Sequence, residues 1–148
     1  MSQENVEWMQ SAHRAFNEGG PAALAERFWH PEIVWHEPPE TPGAGVYRGR
    51  EEVLRYFEGF MEALGKLRIV DEEVVATGDR LVVASLQLAG SAASSEIPIA
   101  LSVTHVYKLD ANQRAIEVLS FLDREQALEA VGLSEPSRQG GENPEPRA

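Results

Sequence analysis

The sequence has 148 residues, 43% of them hydrophobic, which suits one domain with a buried core. Its 24 Asp and Glu outnumber 13 Lys and Arg, and the formal net charge of -11 disfavours nucleic acid and anionic membranes as partners. The absence of cysteine excludes disulfides, thiolate nucleophiles and Cys-ligated metal sites. No secretion-signal pattern and no apolar run of transmembrane length occurs, so we expect a cytoplasmic protein.

The N-terminal part is predicted to contain three helices and one strand. The stripe of the first helix, capped by Ser2, is Val6, Met9, His13 and Phe16, and Gly19-Gly20 is expected to end it. A short second helix should begin at Pro21 and stop before Pro31. The strand follows at residues 33–37, and residues 38–49, with three prolines and three glycines, are predicted to be a loop. The third helix is expected from about Gly49.

The C-terminal part is predicted to be a sheet followed by a helix. Four strand-like runs occupy residues 66–77, 80–90, 99–109 and 114–123, and short turns between them favour an antiparallel meander. Asp123 can cap a last helix that Gly132 ends. From Ser134 the chain has no large apolar residue, so we expect a domain over residues 1–133 and a disordered acidic tail over residues 134–148. The order of elements predicts an α+β fold.

Three titratable residues interrupt apolar faces of these elements. His13 lies in the stripe of the first helix, Glu37 shares a strand face with Ile33 and Trp35, and His105 shares one with Leu101, Val103 and Tyr107. A buried polar group needs a partner, water or a cavity. Because local patterning tends to fail at functional sites, the three together are candidates for one site.

Less specific interpretations of the same residues stay open. A histidine on an apolar face is often a hydrogen-bonded core residue, and a glutamate at a strand end is often solvated. His30 and His36 are expected at the surface or at an interface. No metal-binding motif occurs, although His13, Glu37 and His105 could make a three-ligand site, and we predict neither a metal nor a cofactor.

The layout resembles the nuclear-transport-factor-like superfamily, in particular SnoaL-like proteins and ketosteroid isomerases. The resemblance covers roughly residues 4–133 and is carried by FNEGGPAALAERFWHPEIVWHEPPE, YRGREEVLRYFEGF and VYKLDANQRAIEVLSFLDREQALEAVGL. It implies a cone-shaped barrel in which the N-terminal helices pack on a strongly curved, mostly antiparallel sheet that encloses a pocket. It also implies that Glu37 stands at the position of the isomerases' carboxylate base. His105 and His13 stand where those enzymes keep a protonated aspartic acid and a tyrosine.

These replacements argue against steroid isomerisation itself, while scytalone dehydratase is similar in using histidines in its pocket. We therefore expect a pocket for a small hydrophobic molecule, with proton transfer next to a carbonyl as the candidate reaction, of isomerase, cyclase or dehydratase type. Glu37 would take the proton, and His13 and His105 would donate to the oxyanion or relay protons. The candidate pocket walls are Trp35, Tyr56, Phe60, Leu86, Val103, Val118 and Ser120.

Two alternatives without catalysis remain. The fold could be a small-molecule binding module, or a structural dimerisation domain whose cone is filled by aromatic side chains. A homodimer through the outer face of the sheet is expected in either case, because that face also carries apolar residues.

Overall fold

The computed structural model describes residues 3–91 and 98–132. Its elements in chain order are α1 (Gln3–Phe28), β1 (Trp29–Glu37), β2 (Gly45–Arg48), α2 (Arg50–Leu64), β3 (Arg68–Gly78), β4 (Leu81–Ser91), β5 (Pro98–Leu109), β6 (Ala115–Phe121) and α3 (Arg124–Ala130). The predicted α+β class is confirmed. The Ser2 cap, part of the connection after β4 and the predicted tail from residue 134 lie outside the described residues.

The first two predicted helices form the single element α1, which is kinked at Gly20. Gly20 has φ 77° and ψ -170°, a backbone conformation that a glycine adopts readily, and Pro21 follows it. Proline suits the first turn of a helix because its φ is already fixed near the helical value. The predicted break is therefore present, but the N-terminal part has two helical elements where the sequence predicted three.

The six strands form one sheet in the order β2-β1-β6-β5-β4-β3. The predicted meander is confirmed, because β3 to β6 pair antiparallel in sequence order, while β1 adds to β6 in parallel. Since β2 and β3 are the two edges, the sheet is curled but does not close into a barrel.

The loop predicted over residues 38–49 was wrong for Gly45–Arg48, which form β2. The last proline of this segment is Pro42, and beyond it Val46 and Tyr47 pair antiparallel with β1 at His36 and Trp35. The glycines of the segment obscured two residue types that favour strands. β1 also begins earlier than predicted, at Trp29, and the register of its pairing shifts between Trp29 and Val34, where Pro31 lacks a donor for the ladder.

Helices cover both faces of the sheet. On the inner face, α1 and α2 pack against alternate residues of the central strands, among them Trp35, Leu86 and Val118. On the outer face, α3 places Ala127 and Leu128 on Val83 and Val106, and the side chain of Asp123 caps α3 by accepting a hydrogen bond from the backbone N–H of Glu125. The inner face, with the longer helices, is the side on which a cavity can form.

Candidate active site

An apolar cavity of about 70 Å³ lies between α1, α2 and the inner face of the sheet. Its walls include all three tryptophans of the chain, Trp8, Trp29 and Trp35, together with Phe57, Phe60 and Leu86. Its only titratable side chains, within the described part of the chain, are His13, His105 and Tyr107. Their burial inside an aromatic shell makes this cavity the candidate site.

The titratable side chains of the cavity are joined by a continuous chain of hydrogen bonds. The Tyr107 hydroxyl lies 2.8 Å from Nε2 of His13 and 3.0 Å from Nδ1 of His105. On its other side, Nδ1 of His13 pairs with the carboxylate of Glu72. We call this series Glu72, His13, Tyr107 and His105 the polar chain. It connects a half-exposed carboxylate on β3 to a buried imidazole on β5.

Each member of the polar chain is positioned by strand or helix periodicity. His105 and Tyr107 are two residues apart on β5, so both side chains lie on the inner face of the sheet. Glu72 lies on the edge strand β3, near two register irregularities, and reaches His13 of α1 across the helix–sheet contact. Three elements that are distant in sequence therefore meet at the polar chain.

The electrostatics of the cavity favour neutral groups at its centre. Burial, followed by the nearby His13, lowers the pKa of His105 to about 3, so its imidazole is neutral at ordinary pH. Burial and the charge of Glu72 raise the pKa of Tyr107 well above its usual range, so its hydroxyl keeps its proton. The inner end of the polar chain is therefore neutral, and its outer end is the contact of His13 with the Glu72 carboxylate.

One nitrogen of His105 is left without a protein partner. Its Nδ1 bonds to Tyr107, whereas no group in residues 3–91 or 98–132 hydrogen-bonds to its Nε2, although that atom is not fully occluded. Because His105 lines the cavity, Nε2 is available to a small molecule inside it. The neutral imidazole can present either a proton or a lone pair there, depending on its tautomer.

Glu37 lies in a separate polar cluster beside the cavity. It accepts a hydrogen bond of 2.8 Å from the indole nitrogen of Trp35 and another from the Tyr56 hydroxyl. Desolvation raises the pKa of Glu37, and these two bonds partly oppose the rise by favouring the carboxylate. Glu37 is not among the residues that line the cavity. The Trp35 ring, which contacts the His105 ring edge to face at 5.2 Å, links the two polar centres.

The segment between β1 and β2 closes over the Glu37 cluster. The Tyr47 hydroxyl donates to the carbonyl of Gly43 at 2.8 Å, and the Tyr47 and Tyr56 rings stack at 4.3 Å. A Cβ on Gly43 would collide with the Tyr56 ring and hydroxyl, so a glycine is required for this close approach. Tyr56 is thus fixed by the same segment that shields Glu37.

The other predicted residues are distributed around these two centres. Trp35, Phe60 and Leu86 line the cavity, while Tyr56 bonds Glu37 instead. Val103, Val118 and Ser120 do not line it; Val118 is fully buried in the core, and Ser120 pairs with His105 across the β5–β6 ladder.

The two remaining histidines have local partners. His36 bonds Glu117 at 2.8 Å, and Nδ1 of His30 accepts from the backbone N–H of Glu32. No group of three or more metal-ligating side chains occurs among the residues that the structure describes. In the same residues, no helix is long and apolar enough to cross a membrane.

Sequence reasoning missed Tyr107 and Glu72 as site residues. Tyr107 shares the face of His105 in the alternating pattern, but a tyrosine on an apolar face is usual in a core. Glu72 belongs to the acidic run DEE, which is typical of a solvated face. The alternation of side chains along the strand could have identified Glu72. It lies two residues before Val74, which packs against the inner core, so both side chains are expected on the same face.

Solved structures with this architecture include proteins of different described roles. An NTF2-like protein of unknown function from Burkholderia pseudomallei has TM-score 0.68 and 18% identity, covering 89% of this chain and 99% of that protein. The epoxide hydrolase/cyclase-like enzyme SalBIII, described in pyran ring formation of the polyether salinomycin, has TM-score 0.66 and 19% identity, covering 80% and 90%. A protein of Mesorhizobium loti, provisionally assigned as a SnoaL-like polyketide cyclase, has TM-score 0.60 and 15% identity, covering 78% and 97%.

At these identities the structural likeness shows the fold alone. No functionally curated protein matches the sequence. The model of the SnoaL-like domain, in contrast, matches residues 9–118, which span α1 to the middle of β6 and include every member of the polar chain. The chain therefore belongs to the SnoaL-like domain family.

Proposed function

We propose that this protein binds a small, largely apolar molecule in the cavity and catalyses proton transfer next to a carbonyl group of that molecule. The observation that carries the proposal is Nε2 of His105, which has no hydrogen-bond partner among the described residues and belongs to a neutral imidazole in an apolar, aromatic cavity. A hydrogen-bond donor fixed in such surroundings stabilises a developing oxyanion more than it would in water. Isomerisation, cyclisation and dehydration all use this step.

Glu37 is the proposed base. Its raised pKa brings the carboxylate closer to the range in which a base accepts a proton efficiently near neutral pH. In the unliganded arrangement Trp35 occupies one carboxylate oxygen, so a substrate reaches Glu37 by replacing the indole as its partner. The substrate carbonyl would then accept from Nε2 of His105, on the other side of Trp35.

The size and lining of the cavity limit the substrate. About 70 Å³ is below the usual range for drug-sized ligands, so a compact ring or a short chain fits, with the aromatic walls contacting its apolar part. SalBIII, an epoxide hydrolase/cyclase-like enzyme, and the Mesorhizobium loti protein are both described in terms of ring formation, which supports cyclisation among the three candidate reactions. The cytoplasmic location and the homodimer expected from the sequence stay predictions.

Occupation of the cavity can be measured by intrinsic fluorescence, because all three tryptophans line it. Titration with 2-cyclohexen-1-one or 1-indanone is expected to give a saturable change. Ala12→Leu, which fills the cavity, should weaken this binding about tenfold or more, while Ala22→Leu on the exposed side of the same helix should not. An equal response of both variants, with circular dichroism showing both folded, would contradict binding in this cavity.

Catalysis can be tested with the same ketones in D2O, where NMR follows exchange of the protons next to the carbonyl. Glu37→Gln keeps the side-chain shape and removes the base, so the protein-dependent exchange rate should fall by about 10²- to 10⁴-fold. Glu40→Gln changes an exposed carboxylate three residues away and serves as the matched control. Saturable binding without exchange in the wild type would instead favour the non-catalytic binding module.

The hydrogen bonds to Glu37 predict how its titration responds to mutation. Tyr56→Phe removes a donor that favours the carboxylate, so the pKa of Glu37 should rise further above its ordinary value. Tyr47→Phe is the control, because the Tyr47 hydroxyl bonds the Gly43 carbonyl and not Glu37. Carbon-13 NMR of the glutamate carboxyl groups gives the measurement. An unchanged or lowered pKa in Tyr56→Phe would show that the bond does not stabilise the carboxylate.

A further inference from the structure

The cavity shares two lining residues, His13 and Ile69, with a second, more open space. A cleft of about 480 Å³ lies outside, between α1 and β3, and its lining includes Arg14, Asn17, Arg68 and Glu72. His13 lines both this outer cleft and the inner cavity. It is buried, with 6% of its side chain exposed, whereas 30% of the Glu72 side chain is exposed to solvent. The polar chain therefore begins at a partly exposed carboxylate in the outer cleft and ends in the cavity.

From this arrangement we propose that the polar chain is a proton relay, in which a proton held on His13 beside Glu72 passes to Tyr107, the Tyr107 proton passes to Nδ1 of His105, and Nε2 of His105 gives its proton to a molecule in the cavity. The relay deepens the proposed function and rests on it for the direction of delivery. In the relay, Glu72 stabilises the charged form of His13, and Tyr107 transmits the proton. Neither residue has to contact the substrate. Both are positioning residues.

The hydrogen-bond inventory permits two arrangements in which every contact of the polar chain is made. When His13 is neutral, its Nδ1–H donates to Glu72, Tyr107 donates to its Nε2, and Nδ1–H of His105 donates to Tyr107. The cavity then meets a bare lone pair on Nε2 of His105. When His13 is protonated, its Nε2–H donates to Tyr107, Tyr107 donates to Nδ1 of His105, and Nε2 of His105 carries a proton. Gain of one proton at His13 thus reverses the tautomer of His105.

Burial decides where the charge of the loaded relay is held. The environment of His105 is apolar and close to His13, so an imidazolium there is strongly disfavoured. His13 contacts a carboxylate, which stabilises a cation. The positive charge therefore stays on His13 beside the outer cleft. The proton that can be donated lies on Nε2 of His105, inside the cavity. The cavity gains an acid without accommodating a charge.

The proton transfer balances through this path. Glu37 takes the proton from the carbon next to the substrate carbonyl, and the electron pair of that C–H bond forms the carbon–carbon double bond of an enol. The carbonyl oxygen takes the proton from Nε2 of His105, Nδ1 of His105 takes the Tyr107 proton, and Tyr107 takes the Nε2 proton of His13. Glu37 and His13 both end neutral. The relay is restored when the enol returns to a ketone. The enol hydroxyl proton then passes to Nε2 of His105, the Nδ1 proton of His105 passes to Tyr107 and the Tyr107 proton passes to Nε2 of His13, while Glu37 gives its proton to carbon.

The groups that face His13 define what its protonation depends on. They are Arg14 and Glu18 on α1, Arg68, Asp71 and Glu72 on β3, and His105 and Tyr107 on β5. The cavity-facing residues of α2 and β4 are apolar. Of these groups, Glu72 alone is a carboxylate in direct contact with the imidazole, within the described residues. Of these groups, Glu72 should therefore have the largest effect on the protonation of His13 when it is replaced.

Nitrogen-15 NMR of histidine-labelled protein tests the relay without substrate, because the two ring nitrogens report protonation and tautomer separately. As the pH rises, we expect His105 to change from the Nε2–H to the Nδ1–H tautomer at the same pH at which His13 loses its proton. His105 should never carry both protons. A single tautomer of His105 across the transition of His13 would overturn the proposal.

Two variants separate a relay from simple packing. Tyr107→Phe should leave the His13 transition in place and abolish the coupled change of His105; a His105 that still follows His13 would overturn the proposal. Glu72→Gln should move the coupled transition to lower pH, because the carboxylate charge beside His13 is lost. Glu73→Gln is the matched control, since Glu73 bonds Arg124 on the other face of the sheet and should shift it by less than half as much. An equal shift in both variants would also contradict the relay.

These experiments can contradict the relay and the proposed catalysis separately. Coupled titration with no ketone exchange would leave the relay standing and remove catalysis at these ketones. Exchange that depends on Glu37 without coupled titration would leave the catalytic proposal standing and remove the relay.

Discussion

The hydroxyl of Tyr107 is the contact on which the inner side of this protein depends. Two histidine rings are buried in an aromatic shell, and a buried polar group without a partner costs about 1 to 3 kcal/mol. A phenol both donates and accepts, so one hydroxyl provides a partner for both rings without water. The same contact ties α1 to β5, and Glu72 adds β3. The polar chain is therefore a structural connection as well as the proposed route for protons.

Trp35 joins the polar chain to the second polar centre. Its ring meets His105 edge to face, and its indole nitrogen holds Glu37. One face of β1 thus places an aromatic ring between the Glu37 carboxylate, the proposed base, and a neutral imidazole. A scaffold that hosts many chemistries differs between its members at such side chains and not in its backbone. In this chain, such side chains include two histidines connected to the outer cleft through a tyrosine and a glutamate.

Much of the fold could be read from the sequence, and the limits have physical causes. The alternation in β5 and the stripe of α1 identified His105 and His13, because periodicity fixes the face of a side chain. β2 was missed since its pairing with β1 is a tertiary contact that glycine-rich composition obscured. The contact of Glu72 with His13 depends on strand irregularities and on the docking of α1, neither of which a single sequence specifies. The separation of Glu37 from the cavity depends on the orientation of one indole.

Neutron diffraction from perdeuterated crystals tests the polar chain most directly, because it locates the protons of His13, Tyr107 and His105. On the alkaline side of the His13 transition, we expect the Tyr107 proton to point to Nε2 of His13 and the single His105 proton to lie on Nδ1. On the acidic side, the Tyr107 proton should point to His105, whose own proton should lie on Nε2. A Tyr107 proton directed at neither histidine, or a doubly protonated His105, would contradict a chain that moves the acid into the cavity while keeping the charge outside it.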